Sequence, residues 1–180
     1  MLINSNDKMK KLSEGFTLIE LLVVIAIIAI LATIIIMRIS SALKDARDSR
    51  RLADMDQIQK ALEMYLNKNG YYPGNTDNDC TGWDVGYNGS GDPFIQTLET
   101  SGFIAKVPGD PTNTSSCGGY RYYRYTAGSY NCPASRGAFY VLEIINMETS
   151  GNPHPSSKGW SCPLRNWQTE GDWVVGNFER

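Results

Sequence analysis

Residues 16–37 read FTLIELLVVIAIIAILATIIIM, and this stretch decides the architecture. From Leu21 to Met37 there are 17 residues without a charge, and Thr33 is the one polar interruption. As a helix, the 22 residues from Phe16 to Met37 span roughly 33 Å, enough to cross a hydrocarbon core. Val, Ile, Leu and Ala are distributed all round, so the stretch has no polar face and predicts a lipid-embedded helix. A secretory signal peptide would have a shorter apolar core followed by a small-residue cleavage site. Here the apolar run passes directly into further helical pattern, which favours a retained membrane helix. Glu20 interrupts the start of the block. An ionised carboxylate at depth is costly and needs a cationic partner, unless it sits at headgroup level in water.

Towards the C-terminus, residues 38–70 read as an amphipathic continuation of the same helix. Ile39, Ala42, Leu43 and Ala46, then Leu52, Met55, Ile58, Leu62, Tyr65 and Leu66, recur at spacings of three and four. The opposite face carries Lys44, Asp48, Arg51, Asp54 and Lys68, and Asp56 and Lys60 form an i,i+4 pair of favourable order. Neither Gly nor Pro occurs between Phe16 and Asn69, and Gly70 with Pro73 beyond it supplies the stop. The expectation is one helix of about 53 residues, near 80 Å long. A domain of this size cannot bury such a rod. Its first half needs lipid or a helical bundle, while its second half, roughly 52–66, can pack on a small head. A coiled-coil stalk is the blander reading, but the periodicity is not a sustained heptad.

The remaining composition is polar and rich in Gly, Asn, Ser, Thr and Tyr. The formal charge is −2, from 17 basic and 19 acidic residues, which argues against a dominant nucleic-acid surface. One His in 180 residues weakens most zinc and triad chemistry. The four cysteines, Cys80, Cys117, Cys132 and Cys162, contain no C-x-x-C pair, so a zinc ribbon or thioredoxin-like site is not indicated. An even count behind a membrane-insertion signal suggests two disulfides in an oxidising compartment. Of the three connectivities, the sequential pairs 80–117 and 132–162 are the expectation, with free buried thiols the alternative.

The string Lys11-Leu12-Ser13-Glu14-Gly15, followed by Phe16-Thr17-Leu18-Ile19-Glu20-Leu21-Leu22-Val23-Val24-Ile25, resembles the class III signal of type IV pilins and type II secretion pseudopilins. The pattern is specific: Gly before Phe, an acidic residue fifth in the mature chain, then a charge-free run. The resemblance implies a leader at 1–15, cleavage between Gly15 and Phe16 by a prepilin peptidase on the cytoplasmic face, and N-methylation of Phe16. It further implies that the cationic amine of Phe16 pairs with Glu20 of a neighbouring subunit, setting register in a filament. Two charges that are costly alone in an apolar core become tolerable when paired. The chain departs from the family at Ala29, usually Gly, and Met37, usually Pro; both residues here favour helix. For orientation, the leader offers Lys8, Lys10 and Lys11 against Arg38, Lys44, Arg47, Arg50 and Arg51 on the other flank. A bare count of positive charge therefore favours the opposite orientation to the one the peptidase requires. The cysteines and Asn/Gly-rich loops suit the outside, so the expectation is a cytoplasmic N-terminus with the head outside.

The head is expected at 71–180. Gly70-Tyr71-Tyr72-Pro73 after the helix and the run Val107-Pro108-Gly109-Asp110-Pro111 both resemble the G-type pseudopilins and related pilins. Asp92-Pro93 reads as the N-cap and first position of a short helix carrying Phe94, Ile95 and Leu98 and ended by Gly102. Strands are predicted at 120–127, 138–145 (AFYVLEII, the strongest) and 172–178, with Gly118-Gly119 and Gly128-Ser129 as turns. The fold class is thus α+β and pilin-like: a long N-terminal helix packed on a small antiparallel sheet. Residues 146–171 show no periodicity and read as a surface loop stapled by Cys132–Cys162.

No catalytic constellation emerges. His154 lies between two prolines in a loop, and no phosphate loop is present. Asp77, Asp79 and Asp84 near Asn75 and Asn78 are weak calcium candidates, since the spacing is not an EF-hand and a solvated Asp/Asn turn explains them equally. G-type pseudopilins commonly carry structural calcium in a C-terminal loop, which this chain does not match. Arg121, Arg124 and Arg136 among Tyr120, Tyr122, Tyr123, Tyr125 and Tyr130 could stack on single-stranded nucleic acid, but cross-strand tyrosine pairing accounts for them too. The leading expectation is a structural subunit without enzymatic activity or cofactor. It polymerises with itself into a type IV pilus or a secretion pseudopilus, served by the peptidase, an assembly ATPase and a platform membrane protein, and sits in the inner-membrane lipid before assembly. The rival readings are a minor tip subunit that binds a surface, DNA or a secreted substrate, and a membrane-anchored enzyme.

Overall fold

The computed structural model describes residues 15–76, 80–86, 94–112, 115 and 117–180. The chain divides into two compact units, Met1–Ser40 and Ser41–Arg180, and helix α1 (Leu18–Asn69) runs through both. In the first unit the helix continues past Ala29 without a break. The Thr33 hydroxyl donates to the Ala29 carbonyl at 2.8 Å, so this polar group is satisfied within the helix itself. From Leu18 to Ile36 the large apolar side chains are between 46% and 83% exposed, and the stretch is long and apolar enough to cross a membrane.

In the second unit α1 ends as its sequence requires. Gly70 takes a left-handed φ of +80°, and its N–H donates to the Leu66 carbonyl at 2.7 Å. One face of the helix, Met55, Ile58, Leu62 and Tyr65, is buried. It packs in one cluster with Tyr72, Phe94, Leu98 and the inner face of a sheet. The sheet contains β1 (Asp84–Gly86), β2 (Tyr120–Tyr125), β3 (Phe139–Ile144) and, further along the chain, β6 (Trp173–Phe178). The order is β1-β2-β3-β6, antiparallel throughout, with Tyr122 opposite Leu142 and Leu142 opposite Val175. Between β1 and β2 lies the short helix α2 (Gln96–Thr100), which places Leu98 in the core. It begins after Ile95 in a left-handed conformation; the expected start at Asp92-Pro93 lies outside the described residues.

The sheet is covered on both faces. Side chains alternate along each strand, so Tyr140, Leu142 and Ile144 of β3 face α1 while Phe139, Val141 and Glu143 face away. The far face carries a second cluster, built with Trp83, Tyr125, Trp167, Val174 and Phe178 and with Trp160 packed at its edge. Trp167 and Trp160 come from 146–171, read from sequence as a surface loop. This segment holds a small hairpin, β4 (Ser161–Cys162) with β5 (Arg165–Asn166), and closes the second core. Gly176 makes room for it, since a Cβ there would collide with the Trp160 ring. Two disulfides, Cys80–Cys117 and Cys132–Cys162, each with Cα atoms 5.0 Å apart, tie the loops to this layer.

The charged face of the helix departs from expectation too: Asp48, Arg51 and Asp54, which lie opposite the apolar face in the sequence pattern, are all buried. The Asp56–Lys60 pair forms at 2.6 Å with both side chains well exposed.

Candidate functional site

The start of α1 is organised by four residues, Thr17-Leu18-Ile19-Glu20. Oε2 of Glu20 accepts from the Thr17 N–H at 2.8 Å and from its hydroxyl at 2.7 Å, and the Glu20 N–H donates back to the Thr17 hydroxyl at 3.3 Å. This reciprocal arrangement is a capping box, which satisfies N–H groups that the first turn of a helix leaves open. The sequence points to Glu20 as a charge paired with a neighbour's Phe16 amine or solvated at headgroup level, and not as a cap. The T-x-x-E spacing that signals a cap was present. Gly15, Phe16 and Thr17 precede the helix in non-helical conformation and are exposed, Phe16 at 85%. The N-terminal region therefore presents an accessible Gly15–Phe16 bond and a carboxylate held in a fixed direction on an apolar helix.

A second charged constellation lies where α1 enters the head. The Arg51 side chain is 2% exposed and all five of its N–H donors are used. Nε donates to Asp110 (2.8 Å), Nη1 to Asp48 (2.7 Å) and Glu148 (2.9 Å), and Nη2 to Asp110 (3.2 Å) and Thr112 (2.6 Å). Arg47 grips Glu148 with two bonds of 2.7 and 2.5 Å. Asp48 also accepts from the Glu148 and Thr149 N–H groups and the Thr149 hydroxyl. The bonds from Arg47, outweighing burial, and the added pull of Arg51 hold the Glu148 carboxyl down at about 2. Burial pushes Asp48 up, but its bonds from Glu148, Thr149 and Arg51 outweigh that and leave it below the usual range. Asp54 is raised by burial, against a 2.8 Å bond from the Tyr120 hydroxyl. This cluster is an ionic clasp joining the helix to loops 110–112 and 147–149. Asp110, the acidic residue of the V-P-x-D-P run, is one of its jaws.

The remaining sequence candidates have structural employment. Asp84 is fully buried and accepts from the N–H groups of Thr76 (2.8 Å) and Ile95 (3.2 Å). Asp77 and Asp79 lie outside the described residues, and no group of three or more His, Cys, Asp or Glu suited to a metal occurs among the described residues. Tyr120, Tyr122 and Tyr125 are buried, so these rings are core side chains and not a stacking platform. Arg124 pairs with Glu179 at 2.7 Å, and the Arg136 guanidinium lies 4.1 Å from the Phe178 ring centre. Missed from sequence is Arg165, which pairs with Glu170 at 2.6 Å and stands within 6 Å of the ring centres of Trp83, Tyr125, Tyr130 and Trp167. Such an aromatic cradle for a cation has no short-range signature.

A capped apolar helix behind a Gly–Phe junction, together with a head of four antiparallel strands, defines a pilin-like subunit. Residues 10–36 match the prokaryotic N-terminal methylation motif. The type II secretion system core protein G of Aeromonas hydrophila is 30% identical over 103 residues, covering 57% of this chain and 69% of that protein. Its counterpart in Vibrio cholerae is 24% identical over 163 residues, covering 91% of this chain and 97% of that protein. No solved structure matches the chain. The chain belongs to the type II secretion system core protein G family. It is a structural pseudopilus subunit, and of the filaments left open by the sequence the relatives favour the secretion pseudopilus over a tip-located binding module.

Proposed function

We propose that the chain is cut between Gly15 and Phe16, methylated on the new Phe16 amine, and polymerised through a pairing of that amine with Glu20 of the next subunit. The observation that carries this reading is Glu20 itself: a carboxylate fixed by Thr17 at the exposed head of a bare apolar helix. Before assembly the stretch 16–37 anchors the chain once through the inner membrane, with the N-terminus cytoplasmic and the head outside. Two disulfides in the head support an oxidising compartment for it. In the filament the apolar turns of α1 pack on copies of themselves, a contact that repeats without closing. An assembly ATPase and a platform membrane protein supply the work. We assign the chain no enzymatic activity and no cofactor.

The test combines mass spectrometry with one substitution. The mature N-terminal peptide is expected to begin at a methylated Phe16; a chain still beginning at Met1 in both envelope and sheared filaments refutes the processing. Glu20→Ala is expected to insert and be cleaved normally while filament yield falls to background. Normal filament yield from that variant would remove the electrostatic pairing.

A further inference from the structure

Glu143 is the one residue of β3 whose chemistry opposes its surroundings. It is 0% exposed, and neither carboxyl oxygen has a hydrogen-bond partner among the described residues. Leaving an ionised carboxylate in that state is prohibitive, so the carboxyl is held neutral. Directly across on β2 stands Arg121, whose Nε is also buried without a partner. Its guanidinium instead reaches the Cys117 carbonyl, beside the Cys80–Cys117 disulfide. On the other side β6 brings Val174. The covering segment crosses at Gly171, where a Cβ would lie 3.5 Å from that of Glu143. It contributes two charges, Arg165 and Glu170, already paired to each other. A neutral acid and a guanidinium cation thus stand on facing strands, unjoined, beneath a lid.

We propose that Glu143 is a proton-operated latch under residues 163–171. Neutral, it lets this segment close on the sheet. Ionised, with its proton released to solvent, it draws Arg121 from the Cys117 carbonyl and loosens the segment. Burial, with a smaller contribution from Glu170, raises the carboxyl to about 8 against the pull of Arg121 and Arg165, so the closed form is favoured most at acid pH, weakens as pH rises from the free value of 4.5, and has lost this contribution by about 8. The Cys132–Cys162 bridge fixes the near end of the segment and β6 the far end, which confines the opening to the stretch between.

The experiment is hydrogen exchange by mass spectrometry on the full chain in detergent micelles, corrected for the intrinsic pH dependence of exchange, from about pH 6.5 to 9.5. Protection in peptides covering 163–171 is expected to fall by about tenfold or more between pH 6.5 and 8 and to level off above 8, while peptides covering 52–66 of α1 stay protected. In Glu143→Gln the fall is expected to vanish. In Arg121→Gln, which removes the cation that draws the charge out, the pH at which the fall levels off is expected to move upward. Flat protection in the wild-type chain overturns the latch, as does an equal fall in Glu143→Gln. Simultaneous loss at 52–66 also overturns it, because the head would then be unfolding as a whole.

Discussion

The two parts of α1 invert the usual relation between polarity and burial. Along 18–36 the apolar side chains lie open, Ile30 at 64% exposed, whereas at the entry to the head the charged Arg51 is 2% exposed. The difference lies in which partners the chain supplies. Every donor of Arg51 finds an acceptor within the same polypeptide, so its burial is complete without help. The apolar turns are exposed among the described residues, and lipid or other copies are the surroundings that suit them. Exposed hydrophobicity in the first region is therefore a statement about assembly, and buried charge in the second is a statement about folding.

The sharpest break of this comparison is Arg51→Met. It leaves Asp48 and Asp110 buried without their cation, and a loss of about 3–5 kcal/mol of head stability is expected in urea melts of the detergent-solubilised chain. A matched pair of isoleucines comes next. Ile58→Ala opens a cavity in the head core and is expected to cost about 2–4 kcal/mol, whereas Ile27→Ala is expected to leave head stability within about 0.5 kcal/mol of wild type. Equal effects at the two sites would dissolve the distinction between the regions.

Acid gives a third, smaller effect. Glu148 sits at about 2 in the fold against 4.5 when free, so it contributes stability above pH 4.5 that disappears as pH falls towards 2. The contribution is about 2 kcal/mol after allowance for its partial exposure, and Glu148→Gln should show a correspondingly shallower loss across that window. Smallest is Asp56→Ala. The pair with Lys60 is exposed at both ends, and about 0.3 kcal/mol or less is expected in the same melts.

What could be read from the sequence follows the range of the physics involved. The long helix was legible because its evidence is local: no Gly or Pro from Phe16 to Asn69, then Gly70 as the stop. AFYVLEII was legible as a strand, and its apolar residues at both odd and even positions, with Glu143 the one exception, also meant burial on both faces. The cover on the far face remained hidden because 146–171 uses little regular structure. Trp160, Trp167 and a disulfide do the packing, and none of these has a period. The ionic clasp was misread because polarity stood in for exposure. Its bonds join Arg51 to residues 59 and 97 positions away, a pairing that only the folded chain reveals. The Glu20 cap, by contrast, was written in four adjacent letters.

The clasp also defines a load path. Arg47, Asp48 and Arg51 engage the head before the first buried apolar residue of the helix, Met55. Tension drawn along α1 from its N-terminal end reaches these bonds before it reaches the hydrophobic interface. Two loops share it, through Asp110 and Glu148, so several short bonds are loaded in parallel and none must yield first. Lysine at position 51 could not substitute: its three donors and compact charge cannot hold both loops in the planar fork that arginine provides. The joint thus behaves as a shear coupling, stiff against displacement along the helix axis.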